Sequence, residues 1–79
     1  METARCKAFL ESAQKGSFSK AAKELNYTPS GVSQLVSAFE KELGFTLLHR
    51  NQKGVTITEN GKKILPMVRE FLKQEEHNV

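Results

Sequence analysis

With 79 residues, 38% of them hydrophobic and five of them Phe, the chain has material for one modest core and not for two. The single Cys6 excludes an internal disulfide, and neither a secretory apolar core nor a run approaching roughly 20 apolar residues is present, so a reduced, cytoplasmic domain away from membranes is expected. The formal charge of +3 permits a nucleic-acid partner without compelling one; Arg50, Lys53, Lys62 and Lys63 lie in the second half, while the closing "KQEEHNV" turns acidic.

In "TARCKAFLESAQKG", Cys6, Phe9, Leu10 and Ala13 recur at i, i+3, i+4 and i+7, which predicts a first helix stopped by Gly16. Cys6 sits on that apolar stripe with no neighbouring His and is read as core, not as a reactive thiol. The next segment, "SFSKAAKELN", predicts a short second helix with Ser19 as N-cap, Ala21, Ala22 and Leu25 as packing residues, and Asn26 as a left-handed terminator.

Thr28 precedes Pro29, which pushes it toward the extended geometry of an N-cap and leaves Pro29 at the first helical position. A third helix is therefore expected from Pro29 to about Glu42, closed by Leu43 and Gly44, with about three residues separating it from the second. That is helix-turn-helix spacing. Within it, Val32, Leu35, Val36, Phe39 and Leu43 form an apolar stripe. Ser30, Ser33, Gln34, Ser37 and Lys41 repeat the spacing two residues out of phase, about 200° around the helix. A solvated face would be written with Glu and Lys pairs; this one offers short groups that donate or accept hydrogen bonds, as a contact surface for something polar would.

Beyond Gly44, "FTLLHRNQKGVTIT" carries alternation at Val55, Thr56, Ile57 and Thr58 and an "NQKG" turn, which predicts two short strands. Thr58 is placed to cap a fourth helix, with Glu59 at the positive end of its dipole and Ile64, Leu65, Val68, Phe71 and Leu72 along an apolar stripe. Pro66 lies too deep for an N1 role and should kink that helix or cost up to about 3 kcal/mol.

This order of elements, with "FLESAQKGSFSKAAKELNYTPSGVSQLVSAFEKELGFTLLHRNQKGVTITENGKKILP", resembles the DNA-binding domain of LysR-type transcriptional regulators over nearly the whole chain. The resemblance rests on Phe9, Gly16-Ser17-Phe18, Ala21-Ala22, Thr28-Pro29-Ser30, Ser33, Glu40, Leu43-Gly44, Leu47, Arg50, Thr58 and Gly61. It implies a mainly α fold with a β-hairpin wing: a winged helix-turn-helix over residues 1–58 (helix-turn-helix about 18–37, wing about 46–58) and a linker or dimerisation helix over 59–79. It further implies a homodimer through the fourth helix, the third helix in the major groove of double-stranded DNA, and a wing that follows the backbone. Family members usually continue into an effector-binding domain, so a small-molecule effector enters only if such a domain follows. By position, Thr28, Pro29, Ser30, Ser33 and Gln34 match the family's contacts at the start of the third helix, and Arg50 and Lys53 match contacts from the wing. Gln34 stands where arginine is frequent and Leu35 where a polar residue is common, so the bases read cannot be taken from a relative.

The chemistry of these residues suits readout. Gln pairs bidentately with adenine N6 and N7, which makes Gln34 the leading specificity candidate, and Pro29 and Gly31 are slim enough to let the helix start approach a groove. Ser37 extends the polar face, and Ser17, Ser19 and Lys20 at the start of the second helix could hold a phosphate. On the fourth helix, Ile64, Leu65, Val68, Phe71 and Leu72 are the dimerisation candidates, with Phe71 and Leu72, beyond Pro66, expected to lie farthest from the domain's own core. No cofactor or catalytic activity is expected: His49 and His77 are isolated from ligand partners, and Glu40, Glu42, Glu75 and Glu76 read as helix surface. The alternative function is a winged-helix protein-interaction module without DNA readout, since a fold does not fix a function.

Overall fold

A computed structural model describes the backbone of residues 2–77 and side chains as far as residue 75. The Glu76 and His77 side chains and residues 78–79 lie outside the described part. Four helices and one hairpin follow in the order α1 (Thr3–Lys15), α2 (Phe18–Leu25), α3 (Pro29–Leu43), β1 (Leu48–Asn51), β2 (Gly54–Ile57) and α4 (Glu59–His77).

The terminators work as their chemistry requires. Gly16, Asn26 and Gly44 adopt left-handed conformations with φ of 66°, 61° and 84°, and each donates its N–H back into the helix it closes. Thr28 is extended, its Oγ1 accepts from Gly31 N at 3.0 Å, and Pro29 opens α3. One cap differs from the sequence reading. Ser17, not Ser19, is the N-cap of α2, accepting from Lys20 N at 3.2 Å. The helix opens at Phe18, whose side chain packs against the core, and Ser19 is an exposed residue of the first turn.

The core is built where α1, α2 and α3 converge. Phe9 and Phe39 meet edge to face with centroids 6.0 Å apart, and Cys6, Ala21, Ala22, Val32 and Val36 fill the space around them. Burial pushes the Cys6 thiol above its ordinary range, as expected of a small core residue and not of a nucleophile. Leu35 and Leu43, at the margins of the α3 stripe, are half-buried.

α4 does not merely project from this core. Ile64, Val68 and Leu72, spaced at i, i+4 and i+8, are buried in the same cluster as α1, which corrects the expectation that Leu72 lies away from the domain. Leu65 and Phe71 are half-buried, and only Met67 among the large apolar residues of α4 is widely exposed, at 61%. α4 is one continuous helix through Pro66, which is exposed. Among the described residues no helix is long and apolar enough to cross a membrane.

Candidate nucleic-acid interface

The hairpin pairs Leu48 with Ile57, His49 with Thr56, Arg50 with Val55 and Asn51 with Gly54, leaving Gln52 and Lys53 at the turn. Asn51 Oδ1 accepts from Lys53 N at 2.9 Å, which holds the turn with a side chain. Three anchors, two of backbone and one through the Thr58 side chain, hold the hairpin in place. Val55 N donates to Gly16 O at 3.0 Å, Thr58 N donates to Leu47 O at 3.0 Å, and Thr58 Oγ1 donates to Thr46 O at 2.7 Å while accepting from Gly61 N at 2.9 Å as the cap of α4. Gly54 has φ 140°, and a Cβ there would overlap the Gly16 carbonyl oxygen, so the close approach of wing and α1–α2 turn depends on glycine.

A fourth anchor was not visible as such in the sequence. Glu40, assigned to helix surface, turns Oε2 toward the start of β1, where it accepts from Leu47 N at 2.7 Å and Leu48 N at 3.2 Å. Leu47 immediately precedes the ladder and Leu48 opens it, so one carboxylate of α3 holds the point where the wing begins. The spacing of seven and eight residues from Glu40 resembles no local capping pattern; only the fold brings them together.

The candidate contact residues divide into two groups. Thr28, Pro29, Ser30 and Gln34 are exposed at the start of α3, with Gly31 half-buried among them. Ser33 and Ser37 instead face the wing. Arg50 donates through Nη1 to Ser33 Oγ at 2.8 Å and through Nη2 to Ser37 Oγ at 2.7 Å, while Glu40 Oε1 stands 3.9 Å from Nη2. The guanidinium carbon lies 5.1 Å from the centroid of the Phe18 ring. Lys53 is exposed at the turn. Ser17, Phe18, Ser19, Ser33, Arg50 and Lys53 all border one open groove of about 440 Å³ between the wing and the α2 N-terminus; Lys20, on the first turn of α2, is exposed outside it. Of the predicted residues, Ser17, Ser19, Ser33, Arg50 and Lys53 share this groove and Ser37 is joined to it through Arg50, while Thr28, Pro29, Ser30, Gly31 and Gln34 do not line it. Among the described residues no three His, Cys, Asp or Glu side chains gather as a metal ion would require.

Residues 4–62 match the model of the bacterial regulatory helix-turn-helix proteins of the lysR family. The chain belongs to that family. It is 42% identical over 74 residues to the uncharacterized HTH-type transcriptional regulator YvbU of Bacillus subtilis, covering 92% of this chain and 25% of that protein. To the HTH-type transcriptional regulator CzcR of Bacillus anthracis it is 40% identical over 72 residues, covering 91% of this chain and 25% of the relative. The chain therefore spans a quarter of the length of these curated relatives. Among solved structures, the DNA complex of the CbnR DNA-binding domain superposes with a TM-score of 0.93 at 29% identity, covering 99% of this chain and 90% of that one. The BenM DNA-binding domain bound to benA site 1 DNA gives 0.88 at 27% identity, covering 98% and 86%. Mostly helical architecture with a small wing and a C-terminal helix is thus the fold of the family.

Proposed function

We propose that this family member binds double-stranded DNA sequence-specifically in transcriptional regulation, as a homodimer, with α3 in the major groove and the wing along the backbone. The observation that carries the reading is the exposed, uncharged start of α3. Thr28, Pro29, Ser30 and Gln34 face outward beside the cationic wing, where an interaction module would need an apolar patch. The two relatives solved with DNA, CbnR and BenM, support it by their likeness in fold.

In this reading Gln34 reads a base edge, Thr28 and Pro29 touch a thymine methyl, and Ser17, Ser19, Lys20 and Lys53 hold phosphates. Dimerisation uses the flank of α4 that its own core leaves open. Met67 stands beside Phe45, which is 38% exposed, Leu43, Ile64, Asn60 and Lys63, around an apolar depression of about 340 Å³. Phe71 extends this flank, being half-buried one turn beyond Met67. Sensing of a small-molecule effector would fall to a part of a longer protein.

Selection of duplexes from a random pool tests the reading, followed by titration of the chosen site against salt. A palindromic site spaced by about one helical turn or more is expected, with a log–log slope near 0.9 per phosphate contact. Gln34→Ala should relax preference at one base pair per half-site by roughly 1–3 kcal/mol, and Lys53→Ala should weaken all duplexes alike. Equal binding to every duplex, or a flat salt slope, overturns it. Met67→Glu should give a folded monomer with weak half-site binding, and a persistent dimer would show that this flank is not the interface.

A further inference from the structure

One of the two wing cations, Arg50, is already engaged within the protein. Arg50 sits on β1 opposite Val55, and its guanidinium reaches α3, donating to both Ser33 and Ser37. Those serines stand one turn apart on α3, and the planar fork of the guanidinium gives each its own nitrogen, where a lysine would have to serve both from a single atom. Phe18 beneath the guanidinium and Glu40 beside it hold the cation from two further directions. Lys53, by contrast, makes no side-chain contact of this kind among the described residues.

Resting on the DNA-reading proposal, we propose that Arg50 is a positioning residue for specificity: it sets the Ser33 and Ser37 hydroxyls as hydrogen-bond donors and fixes the wing against the reading helix. A serine hydroxyl carries one proton and two lone pairs, while a guanidinium only donates. With a lone pair of each serine taken by Arg50, the hydroxyl proton points away from the guanidinium, and the adjacent charge strengthens it as a donor. Such a pair suits acceptors: guanine N7 and O6, adenine N7, thymine O4 or a phosphate oxygen. It suits the amino groups of cytosine and adenine poorly. The same contacts tie β1 to α3, so the distance between base-reading residues and the wing's own phosphate contacts is set before DNA arrives.

The test uses the duplex selected by the unmodified chain. Arg50→Met keeps an apolar stem on Phe18 but removes every donor; Arg50→Lys keeps the charge without the fork. Both should lower affinity for the selected duplex by about tenfold or more and broaden the selected motif. The salt slope per protomer should stay at the unmodified value in Arg50→Met, whereas Lys53→Ala should lower it by about 0.9. A slope reduced by about 0.9 in Arg50→Met and restored in Arg50→Lys makes Arg50 a phosphate contact and overturns the proposal. NMR of the free chain provides an arm independent of DNA. Slowly rotating Arg50 guanidinium N–H signals are expected, lost in the Ser33→Ala, Ser37→Ala double variant; an already mobile guanidinium overturns the proposal while leaving the DNA reading standing. Absence of any sequence preference in the unmodified chain overturns both.

Discussion

Two sets of residues interleaved along the first turns of α3 are written in the same alphabet of short polar side chains, yet they have different partners. Ser30 and Gln34 are exposed, and the end they occupy is held by the Thr28 cap. Ser33, Ser37 and Glu40 face the wing and are engaged by Arg50 and by the Leu47 and Leu48 amides. A polar face at helical spacing is therefore two surfaces here, one left open for a ligand and one consumed in joining α3 to β1. The second surface accounts for part of the uncharged stretch: a lysine at Ser33 or Ser37 would repel Arg50.

The largest effect should come from separating the wing from the body while leaving the start of α3 alone. Gly54→Ala places a Cβ against the Gly16 carbonyl oxygen at φ 140°, a conformation that side chains rarely adopt. A loss of about 3 kcal/mol is expected from strain and clash together. Thermal melting measures it, and amide exchange at Val55, whose N–H donates to Gly16, should rise. An unchanged melting temperature would mean that the Gly16–Gly54 approach does not anchor the wing.

Glu40→Ala attacks the same junction from α3. Leu47 N and Leu48 N lose their shared carboxylate acceptor at a partly buried place, at an expected cost of about 2 kcal/mol. Glu40→Gln retains a carbonyl oxygen and should lose less. Denaturant titration of the two variants separates them, and equal losses would show that the charge, not the acceptor, is what the β1 amides require.

At the open end the effect is smaller. Thr28→Ala removes the cap of α3 and should cost about 1 kcal/mol, while Thr28→Ser should retain most of it. The contrast with Glu40→Ala is sharp in one respect: loss of Thr28 should fray the first turn and raise exchange at Gly31 N while the wing amides stay protected. Simultaneous loosening of the wing would mean that the two surfaces of α3 are not independent.

What could be foreseen from sequence was local. The Thr28-Pro29 start, the left-handed Asn26 and Gly44, the "NQKG" turn and the Thr58 cap each depend on neighbours within four residues, and the structure has each of them. What could not be foreseen depended on how elements sit together. Glu40 reads as surface until β1 is placed beside it, and Arg50 reads as a phosphate contact or as a brace to a carboxylate such as Glu40 or Glu59; Glu40 does stand beside it, but the Ser33 and Ser37 hydroxyls and the Phe18 ring as its partners come only from the fold. Leu72 was assigned outward because it follows Pro66, but α4 stays helical and lies along α1, which carries Leu72 into the core. Ser19 reads as the cap of α2, but the helix opens at Phe18 and Ser17 caps it.

The smallest effect concerns a contact on the opposite side of α3 from the wing. Arg5 Nη1 donates to Glu42 Oε1 at 3.0 Å, joining α1 to the last turn of α3, and this hydrogen bond holds the Glu42 carboxyl below its ordinary value of 4.5. A carboxyl whose pKa is lowered by folding stabilises the folded chain above the unfolded value, and that contribution is lost as pH falls through the folded one. The window therefore lies at and below about pH 4.5, and above it the contribution is constant. Because Glu42 is solvent-exposed, salt should screen the contribution further. Comparing acid unfolding of the unmodified chain with Glu42→Gln isolates it: the two melting temperatures should differ slightly at pH 7 and converge as pH drops below the window. A difference that persists undiminished into strong acid would show that Glu42 acts through packing and not through its charge. Since the contact touches neither the exposed start of α3 nor the wing, DNA selection by Glu42→Gln should return the unmodified motif, which makes it the control against which changes at Gln34 and Arg50 are read.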